Sequence, residues 1–183
     1  MNTKYAQSQP VAVSLTGALM TVAQAVGVAL ALVVAAKLRI YLPWSPVPIT
    51  LQTFVMLTAG AALPISAAAG GAAVYVALSS TGLPVLAGPG IFGPTGGYVL
   101  GFLAAMAFLA SRGPSGPWEL VGRLLTAEII LYACGVSWLA AHTGLGAVWV
   151  IRAGFVPFIV GDTIKLLAAW AAIGAWQGLR RDR

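Results

Sequence analysis

The sequence predicts an all-α integral membrane protein of six transmembrane helices, on three observations. Of its 183 residues, 60% are hydrophobic and 8% charged, whereas a soluble domain carries about 25% charged residues. Between Arg39 and Arg112 there is no Asp, Glu, Lys, Arg or His. That length accommodates three apolar helices with their connections, and an open sheet could not cross lipid with its backbone groups unpaired. Asp162 and Lys165 stand as the only ionisable side chains within residues 153–179. A stretch of that length reads as a membrane span, since about 20 apolar residues cross a hydrocarbon core of about 30 Å.

The first span covers about residues 13–36, too long for a cleaved leader, and is preceded by a polar segment, 1–12. A loop with Lys37, Arg39 and the run Pro43-Trp44-Ser45-Pro46-Val47-Pro48 follows. The second span, 49–63, ends at Pro64, which argues for a turn before the third, 65–81. Both are short for a bilayer, so tilting or support from the adjoining loops is expected. A Gly/Pro-rich connection leads to the fourth span, 95–110, and the cluster Gly113-Pro114-Ser115-Gly116-Pro117 breaks the chain before the fifth, 118–141. The sixth spans 155–176. All of 1–183 is thus one membrane domain.

An even number of spans puts both termini on one side. With both cytoplasmic, Lys4, Arg112, Arg123, Arg180, Arg181 and Arg183 lie inside against Lys37, Arg39 and Arg152 outside, as the positive-inside rule prefers. The net charge of +6 therefore speaks for orientation. It does not speak for nucleic acid, because no basic stripe with interleaved aromatics is present. Cys134, the single cysteine, cannot form an internal disulfide and reads as a small buried hydrophobe. His142 has no second ligand at metal spacing, so no metal site is expected. No nucleophile elbow and no P-loop occur, so the chain reads as neither an enzyme nor an ATPase; energy for transport would come from a gradient or a separate subunit.

Ionisable groups at membrane depth are expensive and by default mark a functional site. Asp162 and Lys165, spaced i, i+3, share a helix face. Lys165 can meet a ligand carboxylate and Asp162 can accept from polar N–H groups, although the opposite placement and simple mutual pairing are also open. Glu128 is a third charge in the fifth span, read chiefly as structural or partner-facing. Pro46 and Pro48 stiffen a loop that ends in Thr50 and Gln52, either a rigid turn or a gating lid over a pocket. In Gly93-Pro94-Thr95-Gly96-Gly97-Tyr98 the glycines allow backbone to approach a ligand, while Gly97 and Gly101 also form a helix-packing G-x-x-x-G. Gln52, Thr95, Gly96, Tyr98 and Tyr132 complete the candidate substrate-binding set.

Five ordered motifs carry a resemblance to a known family. They are Val47-Pro48-Ile49-Thr50-Leu51-Gln52-Thr53-Phe54, Gly82-Leu83-Pro84-Val85, Gly93-Pro94-Thr95-Gly96-Gly97-Tyr98, Tyr132-x-x-Gly135-x-x-Trp138-Leu139, and Pro157-Phe158-x-x-Gly161-Asp162-x-x-Lys165. In that order the sequence resembles BioY, the biotin-specific substrate-binding subunit of energy-coupling factor (ECF) transporters. The resemblance implies six helices in the cytoplasmic (inner) membrane, cytoplasmic termini and a biotin pocket near the outer face, with Asp162 and Lys165 important for biotin. It implies no cofactor. Its partners would be a transmembrane coupling subunit and two ATPase subunits, with the binding subunit toppling in the bilayer to release the vitamin. Small residues spaced by four on the first helix would make the coupling interface: Ala25 and Ala29, or Gly27 and Ala31. The competing reading is a gradient-driven carrier or channel for a small organic anion, with Asp162 and Lys165 as its coupling pair.

Overall fold

The computed structural model describes residues 15–181 except 86, 88, 89, 114 and 115, and leaves the side chains of Arg180 and Arg181 undescribed. The expected N-terminal segment 1–12, with Lys4, and the terminal Arg183 lie outside the described residues. Seven α-helices are present among them: α1 (Leu15–Lys37), α2 (Gln52–Ala62), α3 (Ile65–Ser79), α4 (Gly96–Ala110), α5 (Pro117–Thr143), α6 (Ala147–Gly154) and α7 (Ile159–Arg181). A single 3-10 turn, Val156–Phe158, joins the last two. Among the described residues, three stretches are long and apolar enough to cross a membrane: Leu15–Lys37, Pro117–Thr143 and Ala147–Leu179. By contrast α2, with 11 residues, is about 16 Å long. It needs its neighbours to complete a crossing.

The expectation of an all-helical chain is corrected in one place. Strands β1 (Arg39–Leu42) and β2 (Ser45–Thr50) form an antiparallel hairpin with Arg39 opposite Thr50 and Ile40 opposite Ile49. Ile49 and Thr50, expected to open the second span, therefore belong to a strand. The residues alternate in the strand period, with Val47 and Ile49 between Pro46, Pro48 and Thr50. Two prolines are tolerated because both strands of a two-stranded sheet are edges, where a missing N–H breaks no central ladder. Ser45 fastens the hairpin to α6 by donating from Oγ to the Ala153 carbonyl at 2.7 Å.

A second correction concerns the last span. Helix α7 starts only at Ile159, after Pro157 in the 3-10 turn, so Asp162 lies in the first turn of a helix while standing at the middle of the apolar stretch Ala147–Leu179. Negative charge is favoured there, because the unpaired N–H groups of a helix start leave a partial positive charge. The short α6 occupies what the sequence read as a loop. Helix α5 ends at Gly144, whose φ of 66° is the left-handed conformation that suits glycine at a helix C-terminus.

Close packing through small residues builds the interior. Helix α1 lies on α3, where a Cβ on Gly71 would stand 2.6 Å from the Ala25 carbonyl and from the Val28 side chain. Helix α4 lies as closely on α5: a Cβ on Gly97 would sit 2.2 Å from that of Trp138. The outer faces are apolar, with Leu19, Val22, Val26, Leu30 and Val34 all exposed along α1. Exposed aliphatics in such a row suit lipid as solvent, which takes up apolar surface at no hydrophobic cost.

The same packing turns the expected coupling pair inward. Ala29 is only 2% exposed, and Ala25 forms part of the seam with Gly70 and Gly71 of α3. The other pair, Gly27 and Ala31, borders an open groove between α1 and α2, and a Cβ on Gly27 would meet nothing within 4 Å. The physical reason is angular. Positions two residues apart on a helix point about 200° from one another, so only one of two interleaved pairs can face α3.

Candidate functional site

A cleft opens between the hairpin, α2, α4, α5 and α7, with about 530 Å³ of atom-free space, part of it open to solvent. Its rim is the hairpin and the loop before α4. Arg39 donates to the Ala87 carbonyl at 3.2 Å and stacks over the Tyr41 ring, whose hydroxyl also reaches Ala87. Lys37 Nζ donates to the Pro84 carbonyl. Hairpin and loop are thus held to each other by side chains donating to backbone carbonyls.

The polar floor comes from α5 and α7. Lys165 Nζ donates to Asp162 Oδ1 at 2.6 Å, and the Tyr132 hydroxyl donates to Asp162 Oδ2. Both carboxylate oxygens are therefore engaged, and Asp162 is 4% exposed. The spacing that put Asp and Lys on one face also lets them pair directly. Phe155 and Phe158, from the turn preceding α7, fix the Tyr132 ring, the former edge-on at 4.8 Å between centroids. The proline that delays α7 therefore also delivers the aromatics that hold its acid's donor.

Opposite stands a neutral wall. Gln52 and Thr53, at the start of α2, are buried and line the cleft. The Gln52 amide donates to the Leu32 carbonyl at 3.2 Å and to the Tyr75 hydroxyl at 2.6 Å, tying α2 to α1 and α3. Its N–H groups are spent, and Oε1, which accepts from Thr50 at 3.3 Å, is what remains for a ligand. Thr95 is buried in the cleft wall, and its Oγ1 has no hydrogen-bond partner. Such an orphan is the kind of atom a ligand satisfies.

The cleft gathers Asp162, Lys165, Gln52, Thr95, Tyr98, Tyr132 and Pro48. Two expected residues are placed elsewhere. Pro46 is exposed on the hairpin. Gly96 is absent from the lining, and a Cβ there would collide with the Ile91 carbonyl and approach the Trp138 ring at 3.1 Å. Its glycine serves close packing. Tyr98 contributes its ring, because its hydroxyl donates to the Gly154 carbonyl at 2.6 Å. Sequence reasoning left Thr53, Phe102, Leu131 and Phe158 out of the site, though they line it. Thr53 and Phe158 stood within quoted motifs; Phe102 and Leu131 are apolar helix residues with no signal to distinguish them from core.

Apolar spans around a cleft floored by a part-buried acid–base pair define a membrane protein with a candidate binding site between its helices. The profile of the BioY family matches residues 4–181, and the chain belongs to that family. It is 38% identical to the biotin transporter BioY of Rhodobacter capsulatus over 141 residues, 66% of this chain and 74% of that one. It is 37% identical to the biotin transporter BioY of Thermotoga maritima over 140 residues, 71% of this chain and 80% of that one. Its fold is similar to the 2.1 Å crystal structure of the S-component for biotin from an ECF-type ABC transporter. The TM-score is 0.78 at 22% identity, covering 90% of this chain and 94% of that one.

Proposed function

We propose that the protein binds biotin in this cleft and serves as the substrate-binding subunit of an ECF-type transporter. The observation that carries the reading is the part-buried Lys165–Asp162–Tyr132 cluster, with Asp162 itself buried, at the floor of a mostly apolar cleft. Biotin combines an apolar fused ring with a polar ureido group and an acid tail, and such a ligand needs apolar walls with a few placed polar groups. Lys165 meets the carboxylate, exchanging part of its bond to Asp162. Asp162 and Thr95 then serve the polar N–H and C=O groups. Relatives named as biotin transporters, and the likeness in fold to an S-component for biotin, support the same assignment.

Six crossings follow if α2, α3 and α4 each span with help from the hairpin and loops, and the basic residues then favour cytoplasmic termini in the inner membrane. Partners of this subunit are a transmembrane coupling protein and two ATPases, contacting the open Gly27/Ala31 face of α1. The test is retention of labelled biotin by the purified protein, with thiamin and riboflavin as competitors. Equal displacement by all three vitamins would sink the biotin assignment. Uptake into vesicles containing this chain alone would favour the gradient-driven carrier.

A further inference from the structure

Glu128 takes no part in the cleft described above, yet it is a carboxylate at the level of the cluster. It lies one turn from Tyr132 on the same face of α5. Helices α5 and α7 run antiparallel: Tyr132 meets Asp162, and further along Trp170 Nε1 donates to the Pro117 carbonyl at 3.0 Å. Stepping from Tyr132 to Glu128 therefore follows the same direction as stepping from Asp162 to Lys165. Glu128 lies within electrostatic reach of both Asp162 and Lys165. Its Oε1 is buried and has no hydrogen-bond partner.

The charges of this cluster do not sum to zero. Asp162 and Glu128 provide two carboxylates against the single ammonium of Lys165. A carboxylate ligand arriving at Lys165 would place a third anion against one cation in a poorly solvated site, where Coulomb repulsion is screened far less than in water. One proton restores the balance. Both oxygens of Asp162 are occupied by donors, from Tyr132 and Lys165, whereas Glu128 Oε1 is unpartnered. Of the elements packed against α5, α4 carries Tyr98, α6 carries Arg152, α7 carries Asp162 and Lys165, and α2 carries no ionisable side chain, while on α5 itself Arg123 is paired with Glu119 at 2.5 Å.

We propose that biotin enters the site as its carboxylate together with one proton, which is taken from bulk water onto Glu128. The cluster's net charge is then the same before and after binding. Glu128 is a positioning residue for charge and does not touch the ligand. This inference rests on the biotin-binding reading above.

Calorimetry of biotin binding to the purified full-length protein, in buffers of different ionisation enthalpy at alkaline pH, measures the proton count directly. Wild type is expected to take up about one proton per biotin, with affinity falling about tenfold per pH unit wherever that uptake holds. Glu128→Gln is expected to bind biotin without proton uptake and with a flat pH profile. Glu128→Asp, which keeps the carboxylate, retains the uptake. Biotin binding by wild type with no proton uptake overturns the proposal whether or not the variants fold. Undiminished uptake by Glu128→Gln overturns the assignment to this residue. Absence of any biotin binding by wild type overturns the functional reading itself, and this inference with it.

Discussion

The two walls of the cleft are built from opposite kinds of polar contact. On the α5–α7 side, Tyr132, Asp162 and Lys165 bond to one another through side chains alone. On the α2 side, Gln52 bonds to a backbone carbonyl of α1 and to a tyrosine of α3. Side-chain pairs can exchange a partner for a ligand without moving a helix. Bonds to backbone cannot be given up without loosening the contact between helices. On the proposed reading, ligand recognition therefore falls to the charged wall, and the neutral wall is chiefly scaffold.

That contrast can be broken by substitution. Lys165→Ala should have the largest effect, since it removes the cation for the ligand and strands Asp162. Removing one partner of a buried charge pair across a binding contact costs about 2–5 kcal/mol, so biotin affinity measured by calorimetry should fall on the order of 100-fold. Tyr132→Phe removes one hydrogen bond to a charged group, worth about 1.5–3 kcal/mol, and an affinity loss of about tenfold is expected. Thr95→Val tests whether the orphan hydroxyl meets ligand. Loss of a neutral hydrogen bond should weaken binding about fivefold, with thermal stability in detergent unchanged or raised.

Gln52→Leu should have the smallest effect on affinity and a clear one on stability. It leaves the Leu32 carbonyl and the Tyr75 hydroxyl short of a donor, at about 1–3 kcal/mol. A lower Tm with less than about threefold change in biotin affinity is expected. The reverse outcome, unchanged Tm with affinity lost, would move Gln52 to the recognition side and erase the distinction between the walls.

Much of this arrangement was legible in the chain. Asp162 and Lys165 were found because charge within an apolar span is rare, and i, i+3 spacing put them on one face. The proline run marked the hairpin region, but a strand there was hidden: four or six residues of alternation with two prolines give little periodic signal. Ala25 and Ala29 could not be told from Gly27 and Ala31, because a helix that is apolar all round does not announce which face meets protein. The glycines of the Gly93–Tyr98 motif looked like ligand-approach positions, yet Gly96 is there to admit the Ile91 carbonyl and Gly97 to admit Trp138.

Composition alone determined the membrane as solvent and the helix as the main element, because lipid leaves backbone groups no other satisfactory partner. Residue types and local spacing likewise determined that Asp162 and Lys165 share one helix face. Tertiary structure decided which polar atoms remain available for a ligand. Gln52 and Tyr98 carry suitable donors, but a carbonyl of α1 and the Tyr75 hydroxyl take those of Gln52 and a carbonyl at the end of α6 takes that of Tyr98, while Thr95 is left unpartnered. Hydrogen bonds between residues 20 and 56 positions apart depend on how helices meet. No local pattern encodes that meeting.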